Sequence, residues 1–213
     1  MTLYERYPAL SACEASIESA LDIVETVYRT GGKLLVCGNG GSAADSDHIV
    51  GELMKGFMQQ RPICESTRTV IAEDFPDDAA YLCENLQEAI PAISLSSQTA
   101  VMTAFANDVA ADMAYAQLVN GYGMAGDLLW GLSTSGNSAN IVNAAKVAHA
   151  KGLNTIAMTG QMPCALDSIC DIVIKAPALQ TYEVQEYHLP IYHYICAQLE
   201  TRLFGVQTAA EQV

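Results

Sequence analysis

Apolar positions in this chain follow two rhythms that alternate from one end to the other. Residues 9–30 repeat at a spacing of three and four, through Leu10, Ile17, Leu21, Val24 and Val27, and stop at Gly31-Gly32. That spacing predicts a helix with one apolar face. KLLVCG at 33–38 is instead a short unbroken apolar run ending in glycine, the pattern of a strand buried on both faces. GNGGSAAD follows it and opens a helical stretch to about Phe57. Four more runs of the same kind predict strands: PAISLS at 91–96, DLLWGLS at 127–133, NTIAMTG at 154–160 and DIVIKAP at 171–177. Between them lie helical patterns at about 98–121, interrupted near Asn107, and at 137–152, where Ile141, Ala144, Ala145 and Val147 share a side and Gly152 caps the end. A long helix over about 181–204 closes the chain.

Strands that alternate with helices predict an α/β domain with a five-stranded parallel sheet and right-handed crossovers. One segment, 59–90, departs from the alternation; it carries two prolines and the acidic cluster Glu73, Asp74, Asp77 and Asp78. It is too short for a core of its own and reads as an irregular excursion, with a short helix at its end, from a single domain over 1–213. There is no repeat of fixed period and no low-complexity tract.

Composition narrows the partners. Of 213 residues 51% are hydrophobic and 16% charged, enough apolar material for a core and little to favour disorder. The 24 acidic residues outweigh 10 scattered basic ones, for a net charge of −14. Without a basic patch, nucleic-acid and anionic-membrane binding are not expected. The seven cysteines form no CxxC pair and several sit in apolar runs, so they read as reduced structural thiols. The first residues, MTLYERYPAL, show no signal-peptide pattern, and no apolar run is long enough to span a bilayer. A soluble cytoplasmic protein is expected.

Two polar loops fall at predicted strand ends, where open parallel sheets bind ligands. The first is Asn39-Gly40-Gly41-Ser42, after the first strand; the second is Ser133-Thr134-Ser135-Gly136-Asn137-Ser138, after the third. The second combines hydroxyl donors, a glycine that permits close approach and a helix N-terminus, the ingredients of a phosphate site. A loop with an ordinary serine cap and no ligand is the other reading. Neither loop is a Walker or a dinucleotide motif, which argues against a nucleotide.

His48 and Glu52, at i and i+4, share a helix face past the first loop. They form either a local hydrogen-bonded pair or a catalytic and metal-binding pair. Gln185 and His193 lie eight residues apart on the last helix, about 80° around the wheel, so both can face one site, although Pro190 between them predicts a bend. His149, beside Lys151 at a helix end, reads as a surface or capping residue.

Together, CGNGGSAAD, HxxxE, Asn107-Asp108, LSTSGNSANI and QExHxxxxH resemble the SIS (sugar isomerase) domain family, and within it the phosphoheptose isomerase branch. The resemblance spans nearly the whole chain. It implies a flavodoxin-like three-layer fold and a homotetramer with active sites between subunits. It also implies aldose–ketose isomerisation of a sugar phosphate, with sedoheptulose 7-phosphate the first candidate. By motif position it makes Glu52 and His193 the acid–base pair and His48, Glu52, Gln185 and His193 the ligands of one Zn2+ per subunit. Ser133, Thr134, Ser135 and Ser138 would hold the phosphate, and Asn39, Gly40, Gly41, Ser42, Asp108 and Gln185 would line the sugar. Two features depart from the family pattern: Gly56 stands where many members carry arginine, and the 59–90 segment is long. Both bear on the length of the sugar more than on the reaction class. Two other readings stay open: an isomerase of a shorter sugar phosphate, or a non-catalytic SIS module that binds a sugar phosphate or docks a replication initiator. The docking relatives lack the HxxxE glutamate, which Glu52 supplies here.

Overall fold

A computed structural model describes residues 2–205. The five apolar runs form one sheet: β1 (Leu34–Gly38), β2 (Ala92–Ser94), β3 (Leu128–Leu132), β4 (Asn154–Gly160) and β5 (Ile172–Ala176). Its order is β2-β1-β3-β4-β5, and every pairing is parallel. This is the flavodoxin-like order, in which the chain reverses direction across the sheet between β1 and β3.

The runs are apolar throughout because helices cover both faces. Leu34 and Val36 of β1, with Leu128, Trp130 and Leu132 of β3, face one core; Leu35, Cys37 and Leu129 face the other. The first core is closed by α2 (Glu14–Arg29), α3 (Gly41–Met54) and α9 (Thr181–Phe204). The second is closed mainly by α7 (Ala114–Tyr122) and α8 (Ala139–Ala150). Between β2 and α7 lies α6 (Thr99–Asp108), and a 3-10 turn at Ala111–Met113 accounts for the interruption expected near Asn107.

Two expectations need correction. The helix expected over 9–30 is split: α1 (Leu3–Arg6) and a 3-10 turn at Pro8–Cys13 precede α2, and Cys13 (φ −119°, ψ 15°) leaves helical geometry just before Glu14. The apolar spacing bridged the break because Leu10 and Ile17 are both fully buried. The 59–90 segment is not irregular. It is a pair of helices, α4 (Glu65–Asp74) and α5 (Ala79–Asn85), closed at its base by a Pro62–Gln87 bridge. Neither helix buries a residue, so neither needs an apolar stripe for the sequence to reveal. The last helix, α9, runs through Pro190, and Val147 of α8 is half-buried but packs against the second core, on the side expected of it. All seven cysteines are free, and Cys13, Cys37 and Cys196 are buried as expected of core thiols. Among the described residues no helix is long and apolar enough to cross a membrane.

Candidate active site

The strand order opens a crevice between the loops after β1 and β3, because α3 leaves toward one face and α8 toward the other. The two loops meet there. The Asn39 and Asn140 amides exchange hydrogen bonds at 2.9 and 2.8 Å. Ser133 and Ser138 hydroxyls lie 3.0 Å apart, and the Ser135 hydroxyl accepts the Asn137 N–H at 3.1 Å. Ser138 caps α8 without a side-chain bond to it, which leaves its hydroxyl for a ligand or for Ser133. Two glycines lie under close neighbours. Gly136 holds φ +64°, and a Cβ there would stand 2.2 Å from the Cys164 sulfur; at Gly41 a Cβ would come within 2.7 Å of the Gln185 amide. Gln185 therefore lies directly over the start of α3.

Along α3 and α9, roughly 10 Å further at about 1.5 Å per residue, the charged residues gather. His48 Nε2 is 3.2 Å from Glu52 Oε1 and 3.4 Å from His193 Nε2. The second Glu52 oxygen receives Lys55 Nζ at 3.0 Å. The Tyr192 hydroxyl lies 3.0 Å from His48 Nδ1 and donates to Asp45 Oδ1 at 3.2 Å, which fixes the orientation of the His48 ring. The Phe57 ring packs against His193 with centroids 5.5 Å apart. Burial pushes His193 below the ordinary imidazole range; nearby His48 adds to this, while Glu52 opposes it. Burial also raises the Asp45 carboxyl against the pull of its bond from Tyr192.

The structure thus divides the expected residues. His48, Glu52 and His193 come together from two helices. Asn39, Gly40, Gly41, Ser42, Gln185 and the serine loop form a second group at the strand ends. Gln185 shares the α9 side with His193 but sits two turns away, at Gly41. Asp108 stands apart, exposed on α6 with its carboxylate on the Asn107 amide at 2.8 Å. Among the described residues no three His, Cys, Asp or Glu side chains are gathered so as to hold a metal ion. Sequence reasoning missed Asp45 and Tyr192, although they lie three residues before His48 and one before His193. It also missed Cys164, under Gly136, which no spacing could reveal.

The chain matches the SIS domain family model at residues 8–82 and 68–160. It is 36% identical over 203 residues to a phosphoheptose isomerase of Synechocystis, covering 95% of this chain and 91% of the relative. A phosphoheptose isomerase of Geobacter is 36% identical over 189 residues, covering 89% and 85%. Among solved structures, a phosphoheptose isomerase from Francisella tularensis superposes with a TM-score of 0.75 at 27% identity, covering 92% and 91%. The one from Neisseria gonorrhoeae gives 0.72 at 28%, covering 91% of each chain. With the crevice, the serine loop and the His48–Glu52–His193 group in the expected order, the chain belongs to the SIS domain family, in its phosphoheptose isomerase branch.

Proposed function

We propose that this chain interconverts sedoheptulose 7-phosphate and D-glycero-D-manno-heptose 7-phosphate through an enediol, with Glu52 and His193 as the acid–base pair. The observation that carries the reading is the approach of His48 to both Glu52 and His193, at 3.2 and 3.4 Å, on helices that begin beside the serine loop. A ligand with a phosphate at one end and its reacting carbons at the other suits two such groups. Ser133, Thr134, Ser135 and Ser138, with the α8 N-terminus, supply neutral donors for the phosphate. A chain of net charge −14 has no positive field to do so. Asn39 and Ser42 then face the sugar hydroxyls.

In the ketose-to-aldose direction the Glu52 carboxylate takes a proton from C1 while His193 gives a ring proton to O2, leaving the enediol. Glu52 then returns its proton to C2, and His193 takes the O1 proton as the C1 aldehyde forms. Both residues end as they began. His48 positions the two, and Phe57 shields His193 from water.

Zn2+, one per subunit, is a separate part of this reading. His48, Glu52 and His193 are nitrogen and oxygen donors of the kind zinc takes, but as they stand they are not gathered to hold an ion, and Gln185 completes a set of four only by leaving Gly41, so binding requires these side chains to rearrange. Bound there, the ion would supply a Lewis acid for negative charge on the enediol oxygens. A cytoplasmic homotetramer with active sites between subunits also belongs to the reading. It accommodates Asp108, the one sugar-binding candidate that stands apart within a single chain.

Turnover of sedoheptulose 7-phosphate to the aldose, followed with and without added Zn2+, tests the function; no turnover of any heptose phosphate defeats it. Metal analysis should find one zinc per wild-type chain and none in His48→Ala. A zinc-free chain of full activity removes the metal from the reading.

A further inference from the structure

At the base of the helix pair α4–α5 stands a buried arginine, Arg61, that reaches the catalytic carboxylate's own backbone. Arg61 and Glu200 are both fully buried, and their side chains pair at 2.7 Å. The Arg61 fork also donates to the Leu53 carbonyl at 2.8 Å and to the Glu52 carbonyl at 3.2 Å. These are carbonyls of the last turn of α3, which no helical N–H can satisfy. Its guanidinium stacks 5.0 Å from the Phe204 ring. Glu200 accepts the N–H groups of Phe57, Met58 and Gln59 at 2.8, 2.6 and 3.0 Å. Phe57 is the residue whose ring lies against His193.

We infer that Arg61 and Glu200 are positioning residues for proton transfer: the arginine fixes the turn that carries Glu52, and the glutamate fixes the strap that places Phe57 on His193. The inference rests on the isomerase reading above. Burial works against the Glu200 charge, but the Phe57 and Met58 N–H groups and Arg61 outweigh it and hold the carboxyl below its usual range. A buried ion pair is a poor way to gain stability, since apolar residues of similar volume often do as well or better. What they cannot do is hold two carbonyls and three N–H groups in place. Lysine cannot either: it can pair with Glu200, but it has no planar fork for the carbonyls of Glu52 and Leu53.

The test compares Arg61→Lys and Glu200→Gln with the wild type in two measurements. The first is steady-state kinetics on sedoheptulose 7-phosphate. Displacements of about 1 Å at a reacting group cost roughly a hundredfold, so kcat should fall roughly 10- to 100-fold. KM should stay within about twofold, because the serine loop is remote from the pair. The second is the side-chain NMR spectrum. The His48 and His193 ring resonances should move while the Trp130 indole signal, in the central sheet, stays in place. A kcat within twofold of wild type in both variants overturns the inference. Should either variant fail to fold, Arg61→Met with Glu200→Leu refills the space; folded with kcat lost it supports the assignment, and folded with wild-type kcat it overturns it. If the wild type turns over no heptose phosphate, only the isomerase reading fails. The histidine resonances of Arg61→Lys then decide: shifted they support the positioning role, unmoved they refute it.

Discussion

At the strand ends of the crevice the chain uses backbone, hydroxyls and glycine, while further along α3 and α9 it uses imidazoles, a carboxylate and aromatic rings. The first group is built on one contiguous loop. Ser133 to Ser138 are consecutive; Asn39 joins Asn140 just beyond them, and Gln185 lies over Gly41. The second is assembled from distant segments: His48 and Tyr192 are 144 residues apart, and the Arg61–Glu200 pair behind them spans 139. A site whose ends are made so differently should separate binding from chemistry when each is altered. The largest effect belongs to the assembled end. Glu52→Gln and His193→Gln each remove a proton carrier, the first without changing shape, and kcat should fall by about 10³ with KM nearly unchanged. Equal losses in kcat and gains in KM would show that the two ends are not separable.

The same contrast explains what the sequence discloses. All five strands lie within the runs read from it, because strands buried on both faces must be apolar without interruption. The last helix matches 181–204 at both ends. The two loops are legible as motifs, since their chemistry is contiguous. Helix α4 is not, because it buries nothing and so imposes no period. Arg61 is not, because a lone arginine in a polar segment gives no sign that it will be fully buried. Gln185 and His193 are correctly placed on one helix, yet the helix wheel says nothing of which neighbour each meets, and they meet Gly41 and His48 separately.

His188 sits between these two on α9 and ties the ends together. It is fully buried, its Nε2 lies 3.4 Å from the Thr159 carbonyl, and its Nδ1 has no partner among the described residues. The next residue, Gly160, donates its N–H to the Thr134 carbonyl of the serine loop at 2.9 Å. Burial lowers the His188 pKa from 6.5 to about 4, against the pull of the Thr159 bond. The unfolded chain therefore binds the proton more readily, so this contribution is complete above about pH 6.5 and is lost as the pH falls toward 4. The loss is about 3 kcal/mol. Urea unfolding between pH 7 and 4.5 should show a steeper decline for the wild type than for His188→Met. Parallel curves would mean that His188 is not held neutral by the fold.

The smallest effect is expected at the local end, and it has the clearest geometry. Gly136→Ala places a methyl group against the Cys164 sulfur, at a φ of +64° that alanine resists, so the serine loop must shift. The loop lies outside the His48–Glu52–His193 group, so kcat should hold while KM for the heptose phosphate rises about tenfold, or about 1.4 kcal/mol of binding. Inorganic phosphate, as a competitive inhibitor, should weaken by the same factor, because it samples the loop alone. Gly136→Ala combined with Cys164→Ala removes the sulfur but leaves the backbone strain and the Cβ of residue 164 against the new methyl. Partial recovery of KM in the double variant would assign that part of the loss to the thiol contact. A KM that stays unchanged in Gly136→Ala would place the phosphate elsewhere in the crevice and would leave the serine loop as a helix cap alone.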